Sequence, residues 1–188
     1  MRKEPIYPNQ YYHIYNRGVA KGNIFFKPAH WAFFLRRLKE YFQPDLVDIV
    51  AYCLMPNHFH LLVFVKCEDF SHQIMHPFAV SFTRAINRDV ERVGPLFQGP
   101  FQNKILFSTD QLVHLTKYIH RNPVEAKLAS TPEEWLYSSY QDYIGFRNGS
   151  LPRVDFELLG FKSQKEYREY VNLPMDEEKI QRLLFKEA

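Results

Sequence analysis

The alternation of apolar and polar positions predicts four strands and three helices along the first two thirds of the chain. Runs rich in aromatic and β-branched residues are typical of strands, whereas apolar residues three and four positions apart indicate helices. The expected strands are residues 11–17, 46–54, 58–65 and 103–107. The expected helices are residues 28–42, residues 70–93, and a third that begins after the capping residue Ser108 and ends at Asn122.

The order of these elements, βαββαβ, is that of a ferredoxin-like α+β fold, in which two helices cover one face of an antiparallel sheet. Residues 55–57 are too few for a crossover, so the second and third strands should form an antiparallel hairpin. The other face of the sheet needs a cover, and the third helix is the expected one. It should end at Asn122, because Pro123 disfavours helical geometry in the residue before it.

The rest of the chain is predicted to be mainly helical. Residues 131–134 have the pattern of a helix cap that leads into residues 135–143, and residues 145–152 are rich in turn-forming types. Residues 155–188 carry six basic and eight acidic side chains and indicate an acidic, helical C-terminal appendage. We therefore expect one domain over residues 1–150 and an appendage over residues 151–188.

Composition and charge place the chain among folded proteins. It has 188 residues, of which 46% are hydrophobic and 16% aromatic, so extensive disorder is excluded. The formal net charge is +3, but residues 1–154 hold 18 basic and 13 acidic side chains, a net charge of +5. This balance suits a polyanionic partner, and a solvated basic surface is the alternative.

Cysteines and apolar runs indicate the compartment. The two cysteines, Cys53 and Cys67, show no spacing typical of a zinc ribbon or a disulfide framework, so reduced thiols are expected. The N-terminus leads into no apolar signal region, and no run approaches the roughly 20 apolar residues of a membrane span. The prediction is a cytoplasmic protein with no membrane partner.

Two histidines in the third strand are the first candidate for chemistry. Side chains alternate between the faces of a strand, so His58 and His60 should point the same way. Neutral imidazoles are good ligands for divalent transition metals, and a third ligand would complete a catalytic site with open positions. The alternative is a pair of hydrogen-bonded structural histidines.

The third helix offers two further polar groups. Tyr118 and Asn122 are one helical turn apart, so their side chains leave the same face of the helix. If that face meets the histidines, two imidazoles, one amide oxygen and one phenol come together. These groups are uncharged, so a bound divalent ion keeps its charge for polarising a phosphate. An ordinary buried tyrosine and a helix-ending asparagine are the alternatives.

Five segments together resemble the REP-associated tyrosine transposases, a branch of the IS200/IS605-like, single-tyrosine HUH superfamily. They occur in the same order as in that family, between about residue 11 and residue 145. The segments are Tyr12–Gly18, Met55–Leu62, Gly94–Gln98, Tyr118–Ala126 and Tyr137–Tyr140. The chain differs from the family pattern at Pro100, where a basic residue is common.

The resemblance implies a function for each candidate residue. His58, His60 and Asn122 would bind a divalent metal ion, Mg²⁺ or Mn²⁺, and Tyr118 would be the nucleophile. The implied activity is a metal-dependent endonuclease and strand transferase for single-stranded or hairpin DNA that forms a 5′-phosphotyrosine intermediate. His120, which lies within the same motif, is expected to be a structural hydrogen-bonding residue.

Basic side chains are expected to contact the DNA, and the set is Arg17, Arg84, Arg88, Arg92 and Lys104. Two other functions stay open: a metal-dependent hydrolase with no covalent intermediate, and a non-catalytic nucleic-acid-binding module. The second has no match to the aromatic motif of RNA-recognition folds. The active unit is expected to be a monomer or a homodimer.

Overall fold

A four-stranded antiparallel sheet forms the centre of the molecule. A computed structural model describes residues 5–176 of the chain. The strands are β1 (Gln10–Arg17), β2 (Val47–Met55), β3 (His58–Val65) and β4 (Gln102–Leu106), in the order β2-β3-β1-β4. Each neighbouring pair is antiparallel. The sheet therefore has the predicted ferredoxin-like arrangement, and each predicted strand lies within one residue of its observed bounds.

The hairpin of β2 and β3 is the most buried part of the sheet. All nine residues of β2 are buried, as expected for a strand that is apolar on both faces. The turn between the two strands is held from outside: the Pro56 carbonyl accepts hydrogen bonds from the backbone N–H groups of Ile24 and Phe25, and the Asn57 carbonyl accepts one from Gly18. These bonds fix the start of β3, where the candidate histidines lie.

Two helices, α1 (Pro28–Tyr41) and α2 (His76–Asp89), cover one face of the sheet. The Phe34 ring lies at their centre, with its centroid 4.9 Å from each of the Phe78 and Phe82 rings. The helix predicted over residues 70–93 is shorter than expected and is continuous from Ser71 to Asp89. A π-helical turn, Ser71–Met75, precedes α2, and the chain turns back at Glu91, whose φ is 51°.

Helix α3 (Thr109–Glu125) covers the opposite face of the sheet, as predicted. Its first turn is capped by Ser108, whose hydroxyl accepts a hydrogen bond from the Gln111 N–H. The prediction that it ends at Asn122 was wrong, because Pro123 lies inside the last turn. Proline removes one N–H, and the next residues restore the pattern, since the Ala126 N–H donates to the Asn122 carbonyl.

The segment after α3 is less helical than predicted. Thr131 and Glu134 form the expected capping box, but it caps only a short 3-10 turn, Pro132–Glu134. Ser138 then pairs with Cys53 of β2 in an isolated bridge, and helix α4 covers only Tyr140–Tyr143. Here the chain is extended along the outer edge of β2, and its bridge to Cys53 takes the place of the predicted helix.

Helix α5 (Gln164–Asn172) packs on the outside of α3, and Tyr167 and Val171 are buried in the same hydrophobic cluster as Leu115 and Ile119. The described part of the predicted appendage thus shares a core with α3. The division between residues 1–150 and 151–188 stays a prediction, and residues 177–188 lie outside the described residues. Between residues 5 and 176, no helix is long and apolar enough to cross a membrane.

A buried hydrogen-bond network fixes α3 against its neighbours. The His120 ring is fully buried, with Nδ1 2.6 Å from the Tyr167 hydroxyl and Nε2 2.7 Å from the Ser139 hydroxyl oxygen. Ser139 Oγ in turn accepts a hydrogen bond from the Tyr52 N–H of β2. The chain of bonds from α5 through α3 to the sheet is therefore continuous, and His120 has the structural role that was predicted for it.

The pH dependence of the free energy of unfolding should reveal that His120 is buried in its neutral form. Burial, and to a lesser extent the Arg147 cation, lower the pKa of this imidazole to about 3. The ordinary pKa of histidine is about 6.5. As the pH falls from about 6.5 toward about 3, the unfolded chain therefore binds a proton at this ring that the folded chain does not. Stability is therefore lost as the pH falls, at about 1.4 kcal/mol per pH unit for this side chain.

The variant His120→Gln should lack this contribution. Between about pH 5.5 and about pH 4, its free energy of unfolding should fall less steeply than that of the parent, by about 1.4 kcal/mol per pH unit. Urea unfolding in EDTA at a series of pH values measures both slopes. Equal slopes would contradict a buried, neutral His120.

Candidate active site

The register of β3 places His58 and His60 on the face that α3 covers. His60 lies opposite Tyr15 of β1 and Cys53 of β2, and His58 lies opposite Arg17. The centroids of the two imidazole rings are 5.0 Å apart, and the ring planes are nearly perpendicular, at 84°. Two imidazoles from adjacent same-face positions therefore border one small volume.

Tyr118 of α3 lies against these histidines. Its ring centroid is 5.4 Å from that of His60, and the planes meet at 80°, an edge-to-face contact. Asn122 follows one turn later, is 7% exposed, and lies in the last turn of the helix. The structure thus brings His58, His60 and Tyr118 together within one chain, with Asn122 on the same helix one turn away.

A neighbour fixes the tautomer of His58. Its Nδ1 atom lies 2.6 Å from Asn57 Oδ1, and the Asn57 amide is oriented by donation from Nδ2 to the Lys21 carbonyl at 3.0 Å. Because Oδ1 is an acceptor, the neutral His58 ring must carry its hydrogen on Nδ1 and its lone pair on Nε2. The Nε2 atom is therefore the one that can act as a metal ligand.

His60 is bonded to a histidine that was not among the predicted site residues. Its Nδ1 atom lies 2.9 Å from Nε2 of His13 on β1, and the two rings meet edge to edge, with centroids 5.0 Å apart and ring planes within 23° of each other. His13 is 1% exposed and His60 is 6% exposed. Strand alternation puts His13, Tyr15 and Arg17 on one face, but only the pairing of β1 with β3 shows which partner each one meets.

Burial keeps the imidazole rings of His13 and His60 neutral. It lowers the pKa of His13 to about 3, with a smaller effect from the Lys104 cation. It also holds the pKa of His60 well below the usual range, and His13, His58 and Arg17 act in the same direction. A neutral imidazole retains a lone pair, so His60 is in the protonation state that a metal ligand needs.

Of the five basic residues predicted to contact DNA, two lie on the α3 face. Arg17 pairs with His58 across the β1–β3 ladder, and Lys104 pairs with His13 across the β1–β4 ladder. Their side chains share a face with the histidines because directly opposed residues in a sheet point the same way. These two cations border the site.

The other three basic residues are on or just beyond α2, which covers the opposite face of the sheet. Arg84 and Arg88 are exposed. Arg92 is partly buried and donates hydrogen bonds to Asn87 Oδ1 and the Pro95 carbonyl, which ties the end of α2 to the next loop. These residues are not part of the cluster around Tyr118.

The donor set suits a divalent metal ion. Two neutral imidazoles and one amide oxygen are uncharged ligands, and the last turn of α3 points carbonyl groups of partial negative charge toward its C-terminal end, which favours a cation. Within the described chain, no group of three or more His, Cys, Asp or Glu side chains is placed to hold a metal. A site here would use two histidines and Asn122.

Comparison with known protein families identifies a match over most of the sheet and α3. The family model described as "Transposase IS200 like" matches residues 6–122, which include β1 to β4 and α3 as far as Asn122. The matched region therefore holds His13, His58, His60 and Tyr118 as well.

Individual proteins give the same indication. The chain is 27% identical over 103 residues to a putative REP-associated tyrosine transposase of Haemophilus influenzae, a match over 50% of this chain and 58% of that protein. The chain thus spans little more than half of this relative. Its fold is similar, with a TM-score of 0.60 and 13% identity, to that of a REP-associated tyrosine transposase bound to a REP hairpin, over 82% of this chain and 90% of the other.

The metal ligands can be tested without DNA. Replacing either imidazole, in His58→Ala or His60→Ala, removes a ligand, so Mn²⁺ affinity should fall by more than the roughly 10–100-fold that the loss of an outer-shell hydrogen bond costs. Isothermal titration with Mn²⁺ measures this. The matched control is His72→Ala, since His72 is exposed beside α2 on the other side of the sheet; equal affinities in all three variants would exclude the site.

Proposed function

Because the chain belongs to the IS200-like transposase family, we propose that it cuts and rejoins single-stranded or hairpin DNA through a covalent bond to Tyr118. The observation that carries this proposal is the contact of the Tyr118 ring with His60, at a centroid distance of 5.4 Å. A nucleophile must lie beside the groups that activate the phosphate. Here one chain supplies both Tyr118 and the histidines, which supports a monomer as the active unit.

The proposed reaction is a displacement at phosphorus. The Tyr118 hydroxyl oxygen attacks the scissile phosphate and loses its proton to solvent, and the bond from phosphorus to the 3′ oxygen breaks. The products are a 5′-phosphotyrosine and a strand end whose 3′ oxygen takes up a proton. Attack by a 3′-hydroxyl on the phosphotyrosine reverses the step and joins two strands, so no energy source is needed.

His58, His60 and Asn122 would hold a divalent ion beside the phosphate. When bound, the ion supplies charge that polarises the phosphoryl group and stabilises the transition state. The protein's own part is to orient the imidazoles, as Asn57 does for His58 through the contact with its Nδ1 atom. Either Mg²⁺ or Mn²⁺ suits such a set of ligands and such chemistry.

The substrate class is inferred from one protein of similar fold. The REP-associated tyrosine transposase of similar fold has a REP hairpin bound, and we propose a hairpin or repeat DNA for this chain also. Arg17 and Lys104 would then contact the strand that reaches Tyr118. Arg84, Arg88 and Arg92 would contact backbone phosphates only where the DNA extends around to the α2 side of the sheet.

Replacing the tyrosine separates covalent from hydrolytic chemistry. Tyr118→Phe removes one hydroxyl and keeps the ring, so the fold, Mn²⁺ binding and affinity for DNA should be preserved while cleavage is abolished. The assay uses labelled hairpin DNA with Mg²⁺ or Mn²⁺, and a denaturing gel that resolves the covalent adduct from free nicked strands. We expect neither adduct nor nick.

Tyr7→Phe is the matched control. Tyr7 is 59% exposed and precedes β1 at the end of the sheet away from His58, so this variant should form the adduct like the parent. Cleavage by Tyr118→Phe at the parent's rate would overturn the covalent mechanism and favour a metal-dependent hydrolase. A parent protein that binds hairpin DNA but never cuts it would favour a binding module.

The two groups of basic residues should differ in their effects. The double variant Arg17→Gln/Lys104→Gln should lower both DNA affinity and the cleavage rate, because these side chains lie on the Tyr118 face. Arg84→Gln/Arg88→Gln should lower affinity alone. For every phosphate that a variant no longer neutralises, the slope of log affinity against log salt should become shallower by roughly 0.7–0.9.

Fluorescence anisotropy with the same hairpin at several salt concentrations measures these slopes. An unchanged slope for Arg84→Gln/Arg88→Gln would show that those two residues form only a solvated surface, and the DNA would then be confined to the α3 face.

A further inference from the structure

His13 is a buried histidine on the α3 face of the sheet to which neither the family motif nor the proposed reaction gives a task. It lies at the centre of β1, opposite Leu62 of β3 and Lys104 of β4, and is 1% exposed. Its Nε2 atom is 2.9 Å from His60 Nδ1, and its other ring nitrogen, Nδ1, is buried and makes no hydrogen bond within residues 5–176. Buried polar atoms without a partner are rare in folded proteins and often mark functional positions.

The hydrogen bond between the two rings can run in either direction, and the direction decides what His60 can do. If His13 Nε2–H donates to His60 Nδ1, the neutral His60 ring carries its hydrogen on Nε2 and cannot use that atom as a ligand. If His60 Nδ1–H donates to His13 Nε2, the His60 lone pair is on Nε2. The second arrangement matches His58, whose Nδ1–H is fixed by Asn57.

We propose that His13 is the positioning residue for His60: it accepts the hydrogen bond from His60 Nδ1–H and so holds His60 with its Nε2 lone pair directed at the metal. This inference rests on the proposed function, since only a bound ion requires a lone pair on His60 Nε2, the ring nitrogen that His13 does not contact. Each of the two ligand histidines then has one residue that orients it. Asn57 acts on His58, and His13 acts on His60.

This assignment puts a hydrogen on the unpartnered nitrogen of His13. With Nε2 as the acceptor, the neutral His13 ring must carry its hydrogen on Nδ1, where the surrounding described residues offer no acceptor. The opposite direction would leave a bare lone pair at the same place, which proteins tolerate more readily than an orphaned N–H group. The arrangement that leaves the lone pair on His60 Nε2 therefore lowers the stability of the fold, as is common at functional sites.

The geometry of the pair supports a positioning role over mere packing. One face of the His13 ring is covered by Tyr15, whose ring stacks on it with a centroid distance of 4.7 Å at an angle of 29°. This stacking holds the plane of His13, and His60 meets the edge of the ring within 23° of the same plane. A hydrogen-bond acceptor whose plane is fixed also fixes the direction of the bond it receives.

The tautomer of His60 can be measured in the metal-free protein, independently of any activity. Long-range ¹H–¹⁵N correlation spectra of histidine-labelled protein in EDTA distinguish a protonated ring nitrogen from one with a lone pair. We expect His60 to be protonated at Nδ1 and His13 also at Nδ1, with assignments made from single His→Gln variants. A His60 ring protonated at Nε2 would overturn the proposal, whether or not the protein binds a metal.

Metal affinity provides the second measurement. His13→Phe keeps an aromatic ring between Tyr15 and His60 but removes the acceptor, so Mn²⁺ affinity should fall by roughly 10–100-fold. His13→Gln restores a side-chain acceptor near the same position and should recover most of that affinity. Equal losses in both variants would show that only ring packing matters, and would overturn the positioning role.

His30→Phe is the matched control for loss of a buried histidine. His30 is 4% exposed and hydrogen-bonded to Asp89 at 2.8 Å, and it lies on α1, on the other face of the sheet. Its replacement should leave Mn²⁺ affinity unchanged. If the parent binds no Mn²⁺, the proposed metal site fails, while the ¹⁵N spectra still decide the direction of the His13–His60 bond.

Discussion

The two hydrogen bonds of the His120 ring hold α3 between the sheet and α5, and the candidate site depends on them. One bond reaches Tyr167 of α5 and the other reaches Ser139, which is itself bonded to the backbone of β2. Tyr118 precedes His120 by two residues, and Asn122 follows it by two. The rotation of α3 that satisfies His120 therefore also fixes where the phenol and the amide are presented.

The two faces of the sheet differ in the polarity of the side chains that they bury. Aliphatic and aromatic side chains fill the side under α1 and α2, with the Phe34, Phe78 and Phe82 rings at its centre. The α3 side contains, besides its apolar cluster, the buried imidazoles of His13, His60 and His120. Burying a neutral imidazole costs free energy unless it is hydrogen-bonded. Each of these rings has a bonded partner, which is how the α3 side can be both buried and polar.

Much of this arrangement could be predicted from local patterns. The alternation along residues 58–65 puts His58 and His60 on one face of any strand. The four-residue spacing of Tyr118 and Asn122 puts them on one face of any helix. The contact of Tyr118 with His60 follows from the element order and from the need to cover a second face of the sheet. The predicted order and the helix position are confirmed by the observed sheet.

What local patterns could not reveal depends on long-range pairing. The role of His13 rests on the register of β1 with β3, and sequence spacing contains no information on which residues face each other across a ladder. The ends of α2 and α3 were misjudged for a related reason. Pro123 is buried, and the packing of that turn outweighed the local preference to end the helix before a proline.

Register is consequently as important to the site as residue identity. A shift of β1 by one residue would turn His13, Tyr15 and Arg17 to the face of α1 and α2, since side chains alternate strictly along a strand. β1 is the central partner of both β3 and β4, so the same ladder that builds the core also aligns His13 with His60 and Arg17 with His58. The Gly18 N–H bond to the Asn57 carbonyl pins this ladder at the end where the site lies. The paired strands β1 and β3 thereby hold His13, His58 and His60, whereas Tyr118 and Asn122 lie on the separate helix α3.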